Sequence, residues 1–229
     1  MLETRFPRPL GDVGNPASFD FPLRYAVVRG ASPQRVVHQR ALGLLQSFIA
    51  AGLELVAQGC IGITTTCGFL VLHQRALSAA LQVPVLTSSL LQVAGLEASL
   101  EASREPSLPR GQRVGVITIA AQSLDAAYFE AAGARADTPL EGVDAGSEFA
   151  RRILNDDATL DLAQAERDVV TAAQRLVARC PEVGALVLEC TNMPPYRAAV
   201  EQATGLPVFD AQTAINAFWR DLTQAQRRD

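Results

Sequence analysis

The sequence predicts an α/β fold of two similar lobes, each a mainly parallel sheet flanked by helices, with the active site in the cleft between them. Three observations predict it. First, one pattern occurs twice: Cys67 stands seventeen positions before Pro84 in TTTCGF…LQVPVLTS, and Cys190 stands seventeen before Pro207 in LECTNM…TGLPVFDA. In each copy an apolar run leads into the cysteine, a helix-length segment follows, and a second apolar run opens with Pro-Val. That reads as strand, turn, helix, strand, a βαβ unit made twice. Second, strand-like and helix-like segments alternate along the chain, and the strand-like ones are continuous apolar runs, the mark of strands covered on both faces in parallel sheets. Third, REPSLPRGQR at 104–113 breaks the composition near the middle of the chain, as a boundary between lobes does. Residues 1–105 with 210–229 are expected to form the first lobe, carrying Cys67, and 106–209 the second, carrying Cys190. A chain of 229 residues is long enough for both.

The elements follow in order. Residues 1–22 are rich in Pro and Gly and read as a structured loop, in which Asp12 and Asn15 of GDVGN are most simply turn formers. Leu23–Arg29 alternates and is β-like. Ser32-Pro33 is a helix start, a hydroxyl N-cap with proline at the first helical position. Val36, Val37, Leu44, Leu45, Phe48 and Ile49 then recur at helical spacing as far as Gly59. Cys60–Ile63 reads as a short buried strand, Phe69–Leu81 as helix, Val83–Leu86 as strand and Leu90–Ala102 as helix. Beyond the break, Val114–Ile119 is a strand, a helix lies near Leu124–Ala132, and a weak strand lies near Arg135–Pro139. Leu160–Arg179 is a long amphipathic helix and Ala185–Glu189 a strand. After the turn Thr191–Pro195, Tyr196–Thr204 is helix, Val208-Phe209 is the matching strand, and Thr213–Gln226 is a terminal helix.

Composition narrows the function. A net charge of −4 argues against nucleic acid, which demands a basic face. No apolar run reaches the length of a membrane span, and MLETRFPRPLGD has no signal-like apolar region, so a cytoplasmic protein is expected. All 20 basic residues are arginine. Without lysine there is no Schiff base, no usual pyridoxal phosphate attachment and no phosphate-loop lysine. His38 and His73 are isolated and no Cys-x-x-Cys occurs, so neither a zinc site nor another metal is expected.

Four cysteines in such a chain are catalytic or core residues rather than a disulfide framework. Cys60 at a strand start and Cys180 beside Pro181 read as core. Cys67 and Cys190 stand at the carboxyl ends of strands, where parallel sheets bind ligands. Each precedes a helix whose N-terminus is expected to lower the thiol pKa and make these the more reactive thiols. Two thiols facing one cleft can take a proton from one side of a carbon and return it on the other. Thr64, Thr65 and Thr66 on one side, with Thr191 and Asn192 on the other, supply neutral donors. Glu189 reads as a strand-end carboxylate meeting solvent or an amide, Asp210 similarly, and His73 as a packing or surface residue.

TTTCGF and LECTNMPPY, each ahead of a Pro-Val run, resemble the aspartate/glutamate racemase superfamily, with its hydantoin racemases, maleate isomerases and arylmalonate decarboxylases. The resemblance spans most of the chain. It implies two α/β lobes with one catalytic cysteine each, Cys67 and Cys190, and amino-acid racemization without a cofactor. It also implies a substrate site that draws on Thr65, Thr66, Gly68, Thr191 and Asn192, with Asn15 from the first loop. Two departures matter. Amino-acid racemases have Cys-Asn-Thr where this chain has Cys67-Gly68-Phe69, losing side chains that hold an amino acid. Family members also open with a strand, whereas only Met1–Phe6 precede the Pro-rich loop here. The expected activity is racemization or epimerization of a small α-acidic carboxylate, an amino acid or hydantoin-like compound, by two-thiol proton transfer. Malonate decarboxylation, maleate-type isomerization and non-catalytic carboxylate binding are the alternatives. Expected partners are a small-molecule carboxylate and a second copy in a homodimer or higher homo-oligomer, with no nucleic acid, membrane or cofactor.

Overall fold

A computed structural model describes residues 1–102 and 113–227; the expected break at 104–113 therefore lies, except for Arg113, outside the described residues. In chain order the elements are α1 (Leu45–Ala57), β1 (Ile63–Thr64), α2 (Gln74–Leu81), β2 (Val85–Leu86), α3 (Val93–Ala102), β3 (Arg113–Thr118), α4 (Ala126–Ala131), β4 (Leu140–Gly142), α5 (Glu148–Leu154), α6 (Leu162–Arg179), β5 (Val183–Leu188), α7 (Arg197–Thr204), β6 (Val208–Phe209) and α8 (Ala211–Gln226). They build two parallel sheets flanked by helices, one of two strands (β1-β2) and one of four in the order β4-β3-β5-β6.

The larger sheet forms where the apolar runs are longest. Val114, Val116, Ile117, Leu186, Val187 and Leu188 are all fully buried, and β3 pairs β5 in parallel through Val116↔Val187 and Ile117↔Leu188. Helix α6 covers one face with Ala165, Val169, Ala172, Ala173 and Leu176, a stripe at helical spacing. Asp161 caps it, its carboxylate accepting from the amides of Ala163 and Gln164. Helix and sheet approach closely because Gly115 has no side chain: a Cβ there would stand 2.7 Å from a methyl of Leu176.

The sequence repeat extends to the backbone. Helices α2 and α7 are each eight residues long, each preceded by a 3₁₀ turn (Gly68–His73 and Pro194–Tyr196), and each ended by a left-handed residue, Gln82 and Gly205 respectively. Such a residue satisfies the helix end and redirects the chain into the following strand. Thus β1-α2-β2 and β5-α7-β6 are the two βαβ units, with β2 and β6 running parallel to β1 and β5.

Several elements differ from the reading of the sequence. The helix expected from Ser32 is interrupted: residues 34–38 form a π-helical turn, Arg40 and Ala41 take positive φ, and α1 begins only at Leu45. The turn is held by tertiary contacts that periodicity does not register, His38 Nδ1 lying 3.0 Å from Ser123 Oγ and Arg40 pairing with Asp125. Leu23–Arg29 makes only an isolated bridge, Leu2↔Val28, because the Val28 amide and the Ala26 and Ala31 carbonyls are taken by residues 1–3. The strand expected at 135–139 lies at 140–142: Pro139 has no amide, and its carbonyl instead accepts from Val116. Helix α5 was not expected; Ser147 caps it and it buries Phe149, Ala150 and Ile153.

The terminal helix returns to the first half of the chain. A Cβ on Gly62 would strike Leu222 and Phe218, and Ala211 and Ile215 bury against Val13 and Phe19. Elsewhere the buried side chains of both sheets join in one continuous cluster, to which Leu70 and Leu90 of the first half and Val116 and Leu188 of the second all belong. Truncating Leu176 to alanine at the centre of α6 should cost about 2–5 kcal/mol, the range for a fully buried leucine. A urea unfolding midpoint unchanged from the parent would contradict that packing.

Candidate active site

Strand β1 ends at Thr64 and runs into Thr65, Thr66 and Cys67; β5 ends at Leu188 and runs into Glu189 and Cys190. Both cysteines therefore occupy carboxyl ends of parallel strands, where the backbone leaves the ladder and its side chains become free for chemistry. The two turns are bonded to each other: the Thr191 hydroxyl donates to the Thr66 carbonyl at 2.8 Å. The Ser89 hydroxyl, which follows β2, donates to the Leu188 carbonyl at 2.9 Å. Cys67 and Cys190 line one small cavity with Thr66, Gly68, Glu189, Thr191 and Asn192, under an apolar cover that includes Leu2, Phe6, Ile119 and Ile153.

That cavity amounts to about 20 Å³, space for about one water molecule, so anything larger enters only when its lining parts. Part of the cover is tied down by Asp156, whose carboxylate accepts from the amides of Arg5 and Phe6. A roomier cavity, about 290 Å³, lies elsewhere, between residues 19–26, 59–64 and α8. It holds Cys60 beside a stacked Phe21–Trp219 pair with centroids 4.7 Å apart, but neither of the paired thiols.

Glu189 is the group that sets the electrostatics. It is fully buried, with Oε2 accepting from the Thr118 hydroxyl at 2.8 Å and Oε1 left without a hydrogen-bond partner. The carboxylate and the carbonyl of Glu189 both press on Gly68, where a Cβ would lie 2.1 Å from Oε1 and 2.6 Å from the carbonyl oxygen. Burial pushes the Glu189 carboxyl up to about 7, the Thr118 hydroxyl only partly opposing it. Burial, and then the negative charge of Glu189, push the Cys67 thiol up to about 12 and the Cys190 thiol well above the usual range.

The expected lowering of the thiols by helix ends does not prevail. Helices α2 and α7 begin only at Gln74 and Arg197, beyond the 3₁₀ turns, so one amide reaches each sulfur, from Phe69 and Asn192 respectively. The Cys190 thiol also donates to Asn192 Oδ1 at 3.5 Å, which favours its protonated form. Asn192 is itself held: its Nδ2 donates to Asp12 Oδ2 at 2.6 Å, and Arg8 donates to Asp12 Oδ1 at 2.8 Å.

Of the residues singled out in the sequence, Cys67, Cys190, Thr66, Gly68, Thr191 and Asn192 meet at the cavity. Thr65 stands behind it, its hydroxyl donating to the carbonyls of Cys67 and Thr87. Asn15 is not among the residues lining the cavity: it caps the turn at residues 16–18 and bonds the Arg8 carbonyl. The loop reaches the site through Asp12 instead. Glu189, read as a strand-end carboxylate meeting solvent or an amide, lines the cavity as well; a carboxylate closing an otherwise apolar strand immediately before a cysteine is its signal. Asp210, its counterpart after β6, caps α8. Among the described residues no group of three or more His, Cys, Asp or Glu could hold a metal ion, and no helix is long and apolar enough to cross a membrane.

Residues 93–217, more than half of the chain, match the family model described as Asp/Glu/Hydantoin racemase. The chain is 27% identical over 226 residues to a dimethylsulfoniopropionate lyase of Durusdinium sp. clade D, covering 95% of this chain and 71% of that protein. It is 29% identical over 245 residues to dimethylsulfoniopropionate lyase 7 of Emiliania huxleyi, covering 95% of this chain and 64% of that one. The chain thus spans less than two thirds of several curated relatives, 59% of another Emiliania huxleyi lyase being matched. Its fold resembles that of arylmalonate decarboxylase, with a TM-score of 0.57 at 17% identity over 90% of this chain and 82% of that one. It also resembles a glutamate racemase from Bacillus anthracis, with a TM-score of 0.54 at 17% identity over 86% and 69%.

Two measurements test this electrostatic arrangement. Between the unfolded glutamate value, about 4.3, and its own value near 7, folded Glu189 keeps a proton that the unfolded chain has released. The stability tied to that proton is full below the unfolded value and is lost as pH rises to the folded one, on the order of 3 kcal/mol. Glu189→Gln should shrink the loss of unfolding free energy between about pH 5 and pH 8 by that order; an unchanged pH profile would contradict the burial of an ionisable carboxyl. With iodoacetamide at neutral pH, the half-buried Cys60 and Cys180 should label before Cys67 and Cys190. Peptide mass spectrometry reads the order, and faster labelling of the paired thiols would show them to be lowered rather than raised.

Proposed function

The chain belongs to the Asp/Glu/hydantoin racemase family, and on that premise we propose that it removes an α-proton from a small carboxylate at the Cys67–Cys190 cavity, without a cofactor, and that β-elimination follows. The substrate class is a carboxylate bearing a good leaving group at its β-carbon, of which dimethylsulfoniopropionate is the model. The observation that carries elimination over amino-acid racemization is Cys67-Gly68-Phe69. The resemblance places polar side chains that hold an amino acid after the first cysteine, whereas here a glycine and a buried phenylalanine follow it. Similarity along 95% of the chain to proteins named as lyases points the same way.

Cys67 acts as the base and Cys190 as the protonated partner, because the Cys190 thiol is the one that donates to Asn192. Cys67 first gives its proton to solvent as the ligand enters; the thiolate then takes the proton from the α-carbon, the electrons of that C–H bond form the α,β double bond, and the bond from the β-carbon to sulfur breaks. From dimethylsulfoniopropionate the products are acrylate, dimethyl sulfide and a protonated thiol. A raised thiol pKa suits this work once the proton has left, since the more basic thiolate is better matched to a weak carbon acid. Departure of the β-group as the proton leaves avoids a full carbanion, and each tenfold gain in rate needs about 1.4 kcal/mol of such relief.

The presence of two thiols in one cavity supports a second reading, racemization or epimerization by proton transfer from one face and return at the other. Incubation in deuterium oxide with dimethylsulfoniopropionate, amino acids, hydantoins and substituted malonates separates the readings by NMR. Acrylate release is expected from the first substrate. Cys67→Ser should lower its rate by about 10²–10⁴-fold, the worth of a positioned acid–base group, and Cys190→Ser by less. Interconversion of enantiomers lost equally in both variants would favour the racemase, and parent-like acrylate release by Cys67→Ser would end the thiol-base mechanism.

A further inference from the structure

We propose that Glu189 is the specificity residue of the thiol cavity and selects carboxylates that carry a fully alkylated cation, a sulfonium or quaternary ammonium group, in preference to primary amines. The inference rests on the reading that this cavity is the reactive site, and it names which charge the site accepts and through which atom.

Two independent features point to a cationic ligand. Glu189 lines the cavity with its side chain fully buried, and Oε1 has no hydrogen-bond partner. A buried carboxylate lacking a partner costs free energy until an opposite charge reaches it. Gly68 makes the room that this oxygen occupies beside the cavity, since any Cβ would stand 2.1 Å from it. The carboxyl stands near about 7, so at pH 8 it is mainly the anion.

The choice among cations follows from counting acceptors. Glu189 Oε2 is engaged by Thr118, Asn192 Oδ1 by the Cys190 thiol, and the Thr66 carbonyl by Thr191. A primary ammonium brings three N–H donors, of which Oε1 offers the one acceptor not already hydrogen-bonded; the others must share oxygens in use, against walls of Leu2, Phe6, Ile119 and Ile153 that replace none of the lost water. A sulfonium or trimethylammonium group has no donor to satisfy; its methyl groups suit the apolar walls and its charge suits Oε1. Such a cation also offsets the negative charge that raises both thiols, so the substrate itself promotes formation of the thiolate.

Calorimetry at pH 8 with three unreactive or slowly reacting probes tests the assignment: 3-(trimethylammonio)propanoate, its neutral isostere 4,4-dimethylpentanoate, and 3-aminopropanoate. The intact protein should bind the first at least about tenfold more tightly than either of the others. Glu189→Gln should lose that preference while binding the neutral isostere within about twofold of the parent, which also shows that the variant is folded. Glu189→Asp should retain part of the preference. Failure of the parent to bind the trimethylammonio probe, or a preference that survives in Glu189→Gln, would overturn the assignment. A preference that is present and lost in the variant, without acrylate release from dimethylsulfoniopropionate, would uphold the cation site and reject the lyase reading instead.

Discussion

A carboxylate enclosed beside two thiols is the constraint on which the site depends. Burying Glu189 as an anion is unfavourable, and the fold answers with one hydroxyl, from Thr118, and with no ion pair to Glu189 among the described residues. The residual cost is expressed as a retained proton near neutral pH and as a field that keeps both neighbouring sulfurs protonated. Its position is enforced from both sides. The strand β5 carries Glu189 into the interior, Ser89 holds the carbonyls at its end, and Gly68 leaves the space that the carboxylate occupies. A side chain at 68 would collide with backbone as well as carboxylate, so the glycine after Cys67 is a requirement of the opposite strand.

A second chain of contacts orients the other thiol. Arg8, nearly enclosed, holds Asp12; Asp12 fixes the amide of Asn192; and the remaining oxygen of that amide faces Cys190. The first loop thus reaches the Cys190 sulfur through three successive contacts. Together with the Thr191–Thr66 bond, this fixes the two cysteine turns relative to each other before any ligand arrives, the preorganisation on which acid–base chemistry depends.

Much of this was legible in the residues. The paired Cys-to-Pro spacing located both βαβ units because a strand, turn and short helix repeated with a fixed length leave a fixed sequence interval. The apolar runs of β3 and β5 were long enough to declare buried parallel strands. Three kinds of information were not local. A good helical period breaks at Arg40 and Ala41, beside contacts of His38 with Ser123 and of Arg40 with Asp125 and Tyr128, far away in sequence. Asn15 and Asp12 are equally good turn residues, and only the approach of Asn192 decides which one serves the site. Glu189 reads as exposed because carboxylates usually are, and its enclosure is created by residues 68, 89 and 118 arriving from other elements.

The continuity of the core across both sheets bears on how material passes in and out. Closure by a hinge requires two bodies, each with its own interior, that rotate about a thin junction. Here the side chains beneath α2 and those beneath α6 belong to one packed mass, which resists bending as a solid does. Traffic to the thiols must therefore pass at the rim, where the segment at Leu2–Phe6 rests on α5 and is tied at Asp156. The molecule is built less like a jaw than like a vessel with a fastened stopper: one shared interior, and a tied segment at its rim.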